Sequence, residues 1–402
     1  MALLTCAVNP SNLHYIAESN GLTDLCRRLR ESKHLALDTE FVGENSFVPR
    51  LELIQVAVEG LSAVIDVPAV GSLDCLREVL ANSHIEKVVH AGKQDLELLH
   101  AIVGQVPAPV FDTQVAAAMV GYGTQIGYAQ LVHRVVGIKL AKSHTFTNWS
   151  QRPLTQEQIA YALEDVHYLL PIREQLYSRL RRLGRLDWVK EEFTKLESSP
   201  TDESRDPHNR YQRIRGWDTL RPRSMAVLRE LAAWREGEAR RRNIPRGRVI
   251  RDEVLLELAR HAPSTPAGLR ATRGLHPSEA DRNGETLLGI IRQGLALPEI
   301  DWPKVPRVRR PEPEAAGQVD LLQAVLKTCA QSEEIAPSLL AGVSDLQALV
   351  DAKPTDRDKL DLPILRGWRR RLAGETLLRV LEGKTVVSVD PQTGKLRLTS
   401  HA

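Results

Sequence analysis

The hydrophobic pattern changes period several times along the first two hundred residues, and each change marks an element. Leu35-Ala36-Leu37-Asp38-Thr39-Glu40-Phe41, Leu51-Glu52-Leu53-Ile54-Gln55-Val56-Ala57-Val58 and Ala63-Val64-Ile65-Asp66-Val67 alternate or run apolar between turn residues, which predicts three consecutive strands. A helix from Leu73 to Leu80 follows, then a strand Lys87-Val88-Val89-His90, a helix from about Gln94 to Val103 and a short strand ending at Phe111. Asp112 or Thr113 is placed to cap a helix through Met119. Beyond Gly123 the pattern is helical to about Gly184, with Pro171 as a kink or break. Together these elements predict an α/β domain over residues 1–197, a mixed sheet with flanking helices and a helical end.

Ser198 to Pro207 is polar and proline-bearing, and predicts a linker over 198–208. The chain beyond it is helical: Leu228, Leu231 and Ala232 recur at i, i+3, i+4, as do Leu255, Leu258 and Ala259. A second break, rich in Pro, Arg and Glu, lies at Pro303 to Pro313. The remainder therefore divides into a helical domain at 209–300, a linker at 301–318, a second helical domain at 319–388 and a C-terminal tail at 389–402. Leu228…Leu231…Trp234-Arg235…Ala239 has the spacing of Leu362…Leu365…Trp368-Arg369…Ala373, so the two helical units are either distant repeats or unrelated bundles.

Composition bounds the function classes. Of 402 residues, 42% are hydrophobic and 26% charged, an ordinary globular balance in which each domain can bury its own core. No run approaches the roughly 18 apolar residues of a membrane span, and the first residues lack a basic leader, so a cytoplasmic protein with no membrane partner is expected. Cys6, Cys26, Cys75 and Cys329 are scattered and read as reduced buried thiols, not a disulfide frame or zinc site. No G-x-x-x-x-G-K-[ST] loop is present, so neither a helicase nor a nucleotide cofactor is expected.

The net charge of +3 conceals an asymmetry. Residues 1–200 hold 19 basic and 23 acidic side chains, whereas Arg205 to Arg251 holds 14 arginines, no lysine and 5 acids. Planar guanidinium groups suit phosphate, so the arginine-rich segment suggests polyanion binding beside an acidic part that carries chemistry, although a solvated helix surface gives the same run. Arg240, Arg241, Arg242, Arg246 and Arg248 around Asn243-Ile244-Pro245 are the candidate phosphate contacts. Trp217 and Trp234 read as helix core, not base-stacking platforms.

Three acidic sites are candidates for chemistry. Asp38 and Glu40 share one face of their strand, and two such carboxylates repel unless a cation lies between them. Asp95 falls near a helix N-terminus, and Tyr161 and Asp165 sit at i, i+4 on a late helix. Each alone has an ordinary structural reading. Asp112 reads as a helix cap, His90 as a hydrogen-bonded strand-end residue, and Glu164 faces away from Asp165.

In order and separation, Asp38-x-Glu40, Asp95 and Tyr161-x-x-x-Asp165 resemble the DEDD superfamily of 3′→5′ exonucleases, in its tyrosine-bearing subclass, and within it the ribonuclease D family. Leu53-Ile54-Gln55, Val89-His90-Ala91, Phe111-Asp112-Thr113-Gln114, Asn148-Trp149-Ser150-Gln151-Arg152-Pro153-Leu154 and the run from Tyr161 to Leu170 support the resemblance, over roughly residues 10–190. Tyr211 to Pro277 resembles an HRDC domain, a helical nucleic-acid-binding module, and the unit with Gly367-Trp368-Arg369 matches a second one more loosely. The resemblance implies a ribonuclease H-like α/β exonuclease domain followed by two all-α HRDC-like domains.

It further implies a metal-dependent exoribonuclease that releases nucleoside 5′-monophosphates from RNA with a free 3′ end, tRNA precursors foremost. Two Mg²⁺ or Mn²⁺ ions about 4 Å apart would activate water and neutralise the leaving oxygen. Asp38 would bridge both ions, Glu40 and Asp165 complete one site, and Asp95 hold the other, in part through water. Tyr161, with an ordinary pKa near 10, would position the nucleophile and leave its deprotonation to the metal. A DNA exonuclease of the same superfamily and an inactive nucleic-acid-binding scaffold are the alternatives.

Overall fold

The computed structural model describes residues 13–140, 148–198, 206–304 and 313–400; most of the first linker and part of the second fall outside these spans, as does Cys6. Strands β1 (Leu13–Ile16), β2 (His34–Val42), β3 (Arg50–Val58), β4 (Leu61–Asp66), β5 (Glu86–Val89) and β6 (Val110–Asp112) form one sheet in the order β1-β4-β3-β2-β5-β6. The β2-β3-β4 meander is antiparallel, and β1, β5 and β6 are added in parallel, which gives the expected mixed sheet.

Helices α1 (Ser19–Leu29), α2 (Val67–Val70), α3 (Asp74–Ala81) and α4 (Lys93–Val103) cover one face, over Leu35, Leu37, Ile54, Val56 and Ile65. The other face carries α5 (Thr113–Ala118), α6 (Tyr128–Val136), α7 (Gln156–His167), α8 (Leu169–Arg182) and α9 (Leu186–Glu197). β3 is therefore buried on both sides, and its run of apolar residues is the signature of a central strand. β1 and α1 precede the first element read from sequence; α1 shows its stripe plainly in Leu22, Leu25, Cys26 and Leu29. The expected helical stretch is not continuous: among the described residues it is interrupted between Val136 and Gln156 and again at Tyr168, so Pro171 stands in the first turn of α8, where its missing N–H costs nothing, and does not kink a helix from within.

Helix α10 (Pro222–Arg242) organises the second domain, with Leu228, Leu231, Leu255, Leu258 and Ile291 in its core and Trp217 and Trp234 packed against it, as read. The C-terminal unit departs from expectation in three respects. Its first helix starts at Pro313 and not near 319. Its last described elements are a hairpin, β7 (Thr385–Val389) and β8 (Leu396–Ser400), so the tail expected from 389 is paired strand as far as Ser400 and the unit is not all-α. The hairpin's alternation and its Asp390-to-Gly394 turn are legible, but most of its side chains are exposed and the apolar signal is weak.

The third departure is that this unit does not bury a core of its own. Val319, Leu322, Val325, Leu346, Trp368 and Leu377 join one cluster with Phe111, Leu176, Val189 and Phe193 of the α/β domain. Trp188 of α9 stacks on Trp368 with centroids 4.8 Å apart and planes 10° from parallel. Arg369 donates to Glu192 Oε1 at 2.7 Å, and Arg185 to the Glu333 carbonyl at 2.7 Å. The matched spacing of the two units falls on unlike structure: Leu228 to Ala239 is one turn after another of α10, whereas Leu362 to Ala373 crosses a 3₁₀ turn, a short helix and a π turn.

Candidate active site

Asp38 and Glu40 project from β2 toward the face covered by α7. That helix crosses β2, β3 and β4 and brings Tyr161 and Asp165 down onto them. Carboxylate oxygens of Asp38, Glu40 and Asp165 all lie within 4.8 Å of one another. Local chemistry fixes the helix start: Thr155 and Gln158 form a capping box, with Gln158 N donating to Thr155 Oγ1 at 3.2 Å and Thr155 N to Gln158 Oε1 at 2.8 Å. The residues before it are tied to the sheet. Arg152 donates to both oxygens of buried Asp66, at 2.5 and 2.9 Å, and to the Trp149 carbonyl at 2.6 Å. Tyr15 donates its hydroxyl to the same Asp66 carboxylate. Trp149 is thereby set against Tyr161, with ring centroids 6.0 Å apart.

Asp95 enters from α4 and stands outside the close trio, with Thr39 Oγ1 donating to its Oδ1. The turn that delivers it is built by Asp112, whose carboxylate accepts from Ala91 N at 3.2 Å, Gly92 N at 3.0 Å, Gln114 N at 2.8 Å and Val115 N at 3.2 Å. Asp112 is thus the cap expected of it. Gly92 is required here, because a Cβ would lie 2.5 Å from Val89 Cγ2. His90 bonds Thr113 Oγ1 and the Ile126 carbonyl, and burial holds its pKa below the usual histidine value.

Burial and mutual repulsion dominate the electrostatics. Burial, then Asp95, Asp165 and Glu40, push the Asp38 carboxyl well above the ordinary range. Glu40 is pushed up from 4.5 to about 8 by burial and then by Asp165 and Asp95. Asp165 is pushed up to about 7 by burial, against the Tyr161 hydrogen bond. Burial also raises Asp95, against the pull of the Thr39 hydroxyl. Burial, and then Asp165, Glu40 and Asp38, raise the Tyr161 phenol, so it keeps its proton at neutral pH. The donors are all oxygen and anionic when ionised, which fits a hard divalent cation.

These acids hold protons in the folded, metal-free protein over a range in which the unfolded chain has lost them, so its stability falls as pH rises from about 4.5 to about 8. A divalent cation bound by these acids would take the place of those protons. Its addition is expected to raise the melting temperature more at pH 8 than at pH 6, measured by calorimetry in EDTA and in Mg²⁺; an equal shift at both values contradicts the account.

The structure does not gather the five arginines into one phosphate-binding row. Arg246 forks onto buried Glu236 at 2.5 and 2.6 Å, and both Arg246 and Arg240 lie over the Phe47 ring, at 4.5 and 5.4 Å from its centroid. Arg248 donates to Asn45 Oδ1, while Asn243 Oδ1 accepts from Phe47 N and Val48 N at 3.2 Å. These groups dock α10 and the turn after it onto the β2–β3 loop. Arg241 pairs with Glu238 and Arg242 with Glu279, at 2.7 and 2.8 Å. Arg242 and Arg248 also line a surface hollow of about 550 Å³ with Arg251, His276 and Arg282. Phe47→Ala is expected to loosen the docked domain, read as a larger radius of gyration by small-angle scattering; an unchanged radius would show that the other contacts suffice.

The sequence reading missed Thr39, Asp66 and Tyr15 as parts of the site, since only the strand register brings them to Asp95 and Arg152. The one available signal was an acid, Asp66, closing the otherwise apolar β4.

The 3'-5' exonuclease family model matches residues 13–181, and the HRDC domain model residues 224–291. Ribonuclease D of Granulibacter bethesdensis is 40% identical over 397 residues, 96% of each chain. Ribonuclease D of Acidiphilium cryptum is 39% identical over 93% of this chain and 94% of that one. The crystal structure of Escherichia coli RNase D, described as an exoribonuclease involved in structured RNA processing, superposes with a TM-score of 0.82 at 31% identity, covering 92% of this chain and 99% of that one.

Proposed function

Because the chain belongs to the ribonuclease D family of 3′→5′ exoribonucleases, we propose that it trims tRNA precursors and other small structured RNAs in the cytoplasm, one nucleoside 5′-monophosphate at a time. In this reading two divalent cations, Mg²⁺ or Mn²⁺, are held by Asp38, Glu40, Asp95 and Asp165. The convergence of three carboxylates within 4.8 Å is the observation that carries it. When bound, the cations lower the pKa of water and offset charge on the scissile phosphate and leaving 3′-oxygen.

The residues divide the work. Asp38, which feels all three other acids, would be the shared ligand; Glu40 and Asp165 would complete one site, and Asp95, steadied by Thr39, would serve the other. Tyr161 holds its proton and, backed by Trp149, orients the nucleophile by hydrogen bonding. Tyr161→Phe is expected to lower the rate about a hundredfold with Mn²⁺ affinity changed less than about threefold. Single-turnover kinetics beside calorimetric titration measures both, and loss of Mn²⁺ binding would make Tyr161 a structural support of the ligands instead.

For RNA contact beyond the reacting end, the reading rests on Arg242 and Arg248, which open on the hollow with Arg251 and Arg282. Arg240 and Arg241 are both exposed, Arg240 over the Phe47 ring and Arg241 paired with Glu238, whereas Arg246 is held by Glu236 and Phe47. A tRNA with a 3′ trailer, incubated with Mg²⁺ or Mn²⁺, is expected to shorten in single-nucleotide steps with release of 5′-monophosphates. Equal or faster digestion of a matched DNA would favour the DNA-directed alternative, and no release with either ion would favour the inactive scaffold.

A further inference from the structure

Strand β3 contains one residue that its surroundings do not explain. Gln55 is wholly buried, at 0% exposure, and neither atom of its side-chain amide has a hydrogen-bond partner among the described residues. A buried amide without partners is costly, and leucine or methionine would fill the same volume without that cost. Buried polar groups are almost always satisfied, so an orphan in a native core calls for a ligand, an ion or a bound water.

The register says what lies beside it. Gln55 stands directly opposite Asp38 across the β2–β3 ladder and opposite Val64 across β3–β4, on the face that α7 covers. Residues paired in this way have Cβ atoms about 5 Å apart. Glu40 shares that face but stands one step along, opposite Leu53, and the remaining neighbours are poor partners. Leu53, Ala57 and Val64 are apolar and buried, and Asp66 is already taken by Tyr15 and Arg152. Ser62 lies one step further, against Ala57. Asp38 is thus the acceptor directly across from the orphaned amide.

The geometry assigns Gln55 as a positioning residue of the metal site: its side-chain N–H donates to the Asp38 carboxylate when a divalent cation is bound there. The inference rests on the metal-binding reading of Asp38, Glu40 and Asp165. A cation draws one or two oxygens of Asp38 toward itself, and the remaining lone pairs then need a donor that is not another acid. An amide can supply that hydrogen bond without adding charge. The strand has no other donor side chain at this level, since the residues next to Gln55 in β3 are Ile54 and Val56, which point into the opposite core. The cost of the orphan is then borne by the metal-free protein and relieved in the loaded one, and outer partners of ligands typically change metal affinity by about 10- to 100-fold.

The test uses the full chain and reads metal binding as well as activity. Gln55→Met keeps the volume and removes the donor. Its metal-free melting temperature is expected to match or exceed that of the parent, while Mn²⁺ affinity, titrated calorimetrically at pH 8, weakens about tenfold. A structural role predicts the reverse, a lower metal-free melting temperature with Mn²⁺ affinity unchanged, and that result overturns the assignment. If the variant does not fold, side-chain amide NMR of the parent labelled with ¹⁵N-glutamine decides the matter, with the Gln55 resonances assigned through Gln55→Asn. Those resonances are expected to shift on adding Mg²⁺, and their indifference to Mg²⁺ overturns the assignment. Absence of Mn²⁺ binding by the parent would instead sink the metal reading on which this one rests.

Discussion

Replacing Asp38 with asparagine is expected to lower the hydrolytic rate by at least about a thousandfold and, at the same time, to raise the melting temperature of the metal-free protein. Both halves come from one geometry. Asp38 is the acid that burial and three carboxylates act on together, so its charge is unfavourable until a cation neutralises it. Asparagine keeps the shape, removes the charge and cannot serve as an anionic ligand. The gain in metal-free stability is expected to be larger at pH 8 than at pH 6, because more of the repelling charge is present there in the parent. Product release from a 3′-extended RNA and calorimetry with and without Mg²⁺ measure the two effects. Near-normal hydrolysis by Asp38→Asn would overturn the mechanism, and a lower metal-free melting temperature would overturn the electrostatic account of the site.

Truncating Trp368 to alanine is expected to destabilise the whole molecule, not the C-terminal unit alone. The side chain is 1% exposed and lies face to face with Trp188 of the α/β domain. Emptying such a site typically costs about 3–5 kcal/mol, and lost ring stacking adds about 1 kcal/mol. Because the cluster runs continuously from Leu322 and Leu377 to Phe193 and Leu176, the cavity opens in a core that both units share. The change is expected to lower the melting temperature of the α/β domain by several degrees, followed through the divalent-cation response that reports on the acidic site. Trp234→Ala, in the separate cluster around α10, is expected to leave that response in place. If Trp368→Ala shifts only a C-terminal transition, the shared core does not couple the two units.

Legibility in the sequence followed how local the cause was. The α/β core could be read because strand and helix periods are set by neighbours a few residues apart, as in β3 and in the stripe of Leu228, Leu231 and Ala232. The acids could be read because their order and spacing along the chain carry the family's pattern. Asp112 could be read as a cap because a cap acts within three residues. The arginines were read only as charge, and charge does not say what it faces. Phe47 and Glu236, which occupy Arg246, lie 199 and 10 residues away from it. The C-terminal unit was read as self-contained because its helices are regular, and regularity does not reveal whose core they complete.

The order of residues along the chain carried the mixed α/β domain, the helical remainder, the family and the spacing pattern of four acids with Tyr161 that marks it. Only the tertiary structure settled which acids meet, that Asp95 stands apart on Thr39, that Arg240, Arg246 and Arg248 dock onto the β2–β3 loop, and that Gln55 is buried opposite Asp38. The physical reason is range. Periodicity and capping are settled within one turn or one strand, whereas burial, ion pairing and the repulsion that raises carboxylate pKa values depend on which distant segments share a face.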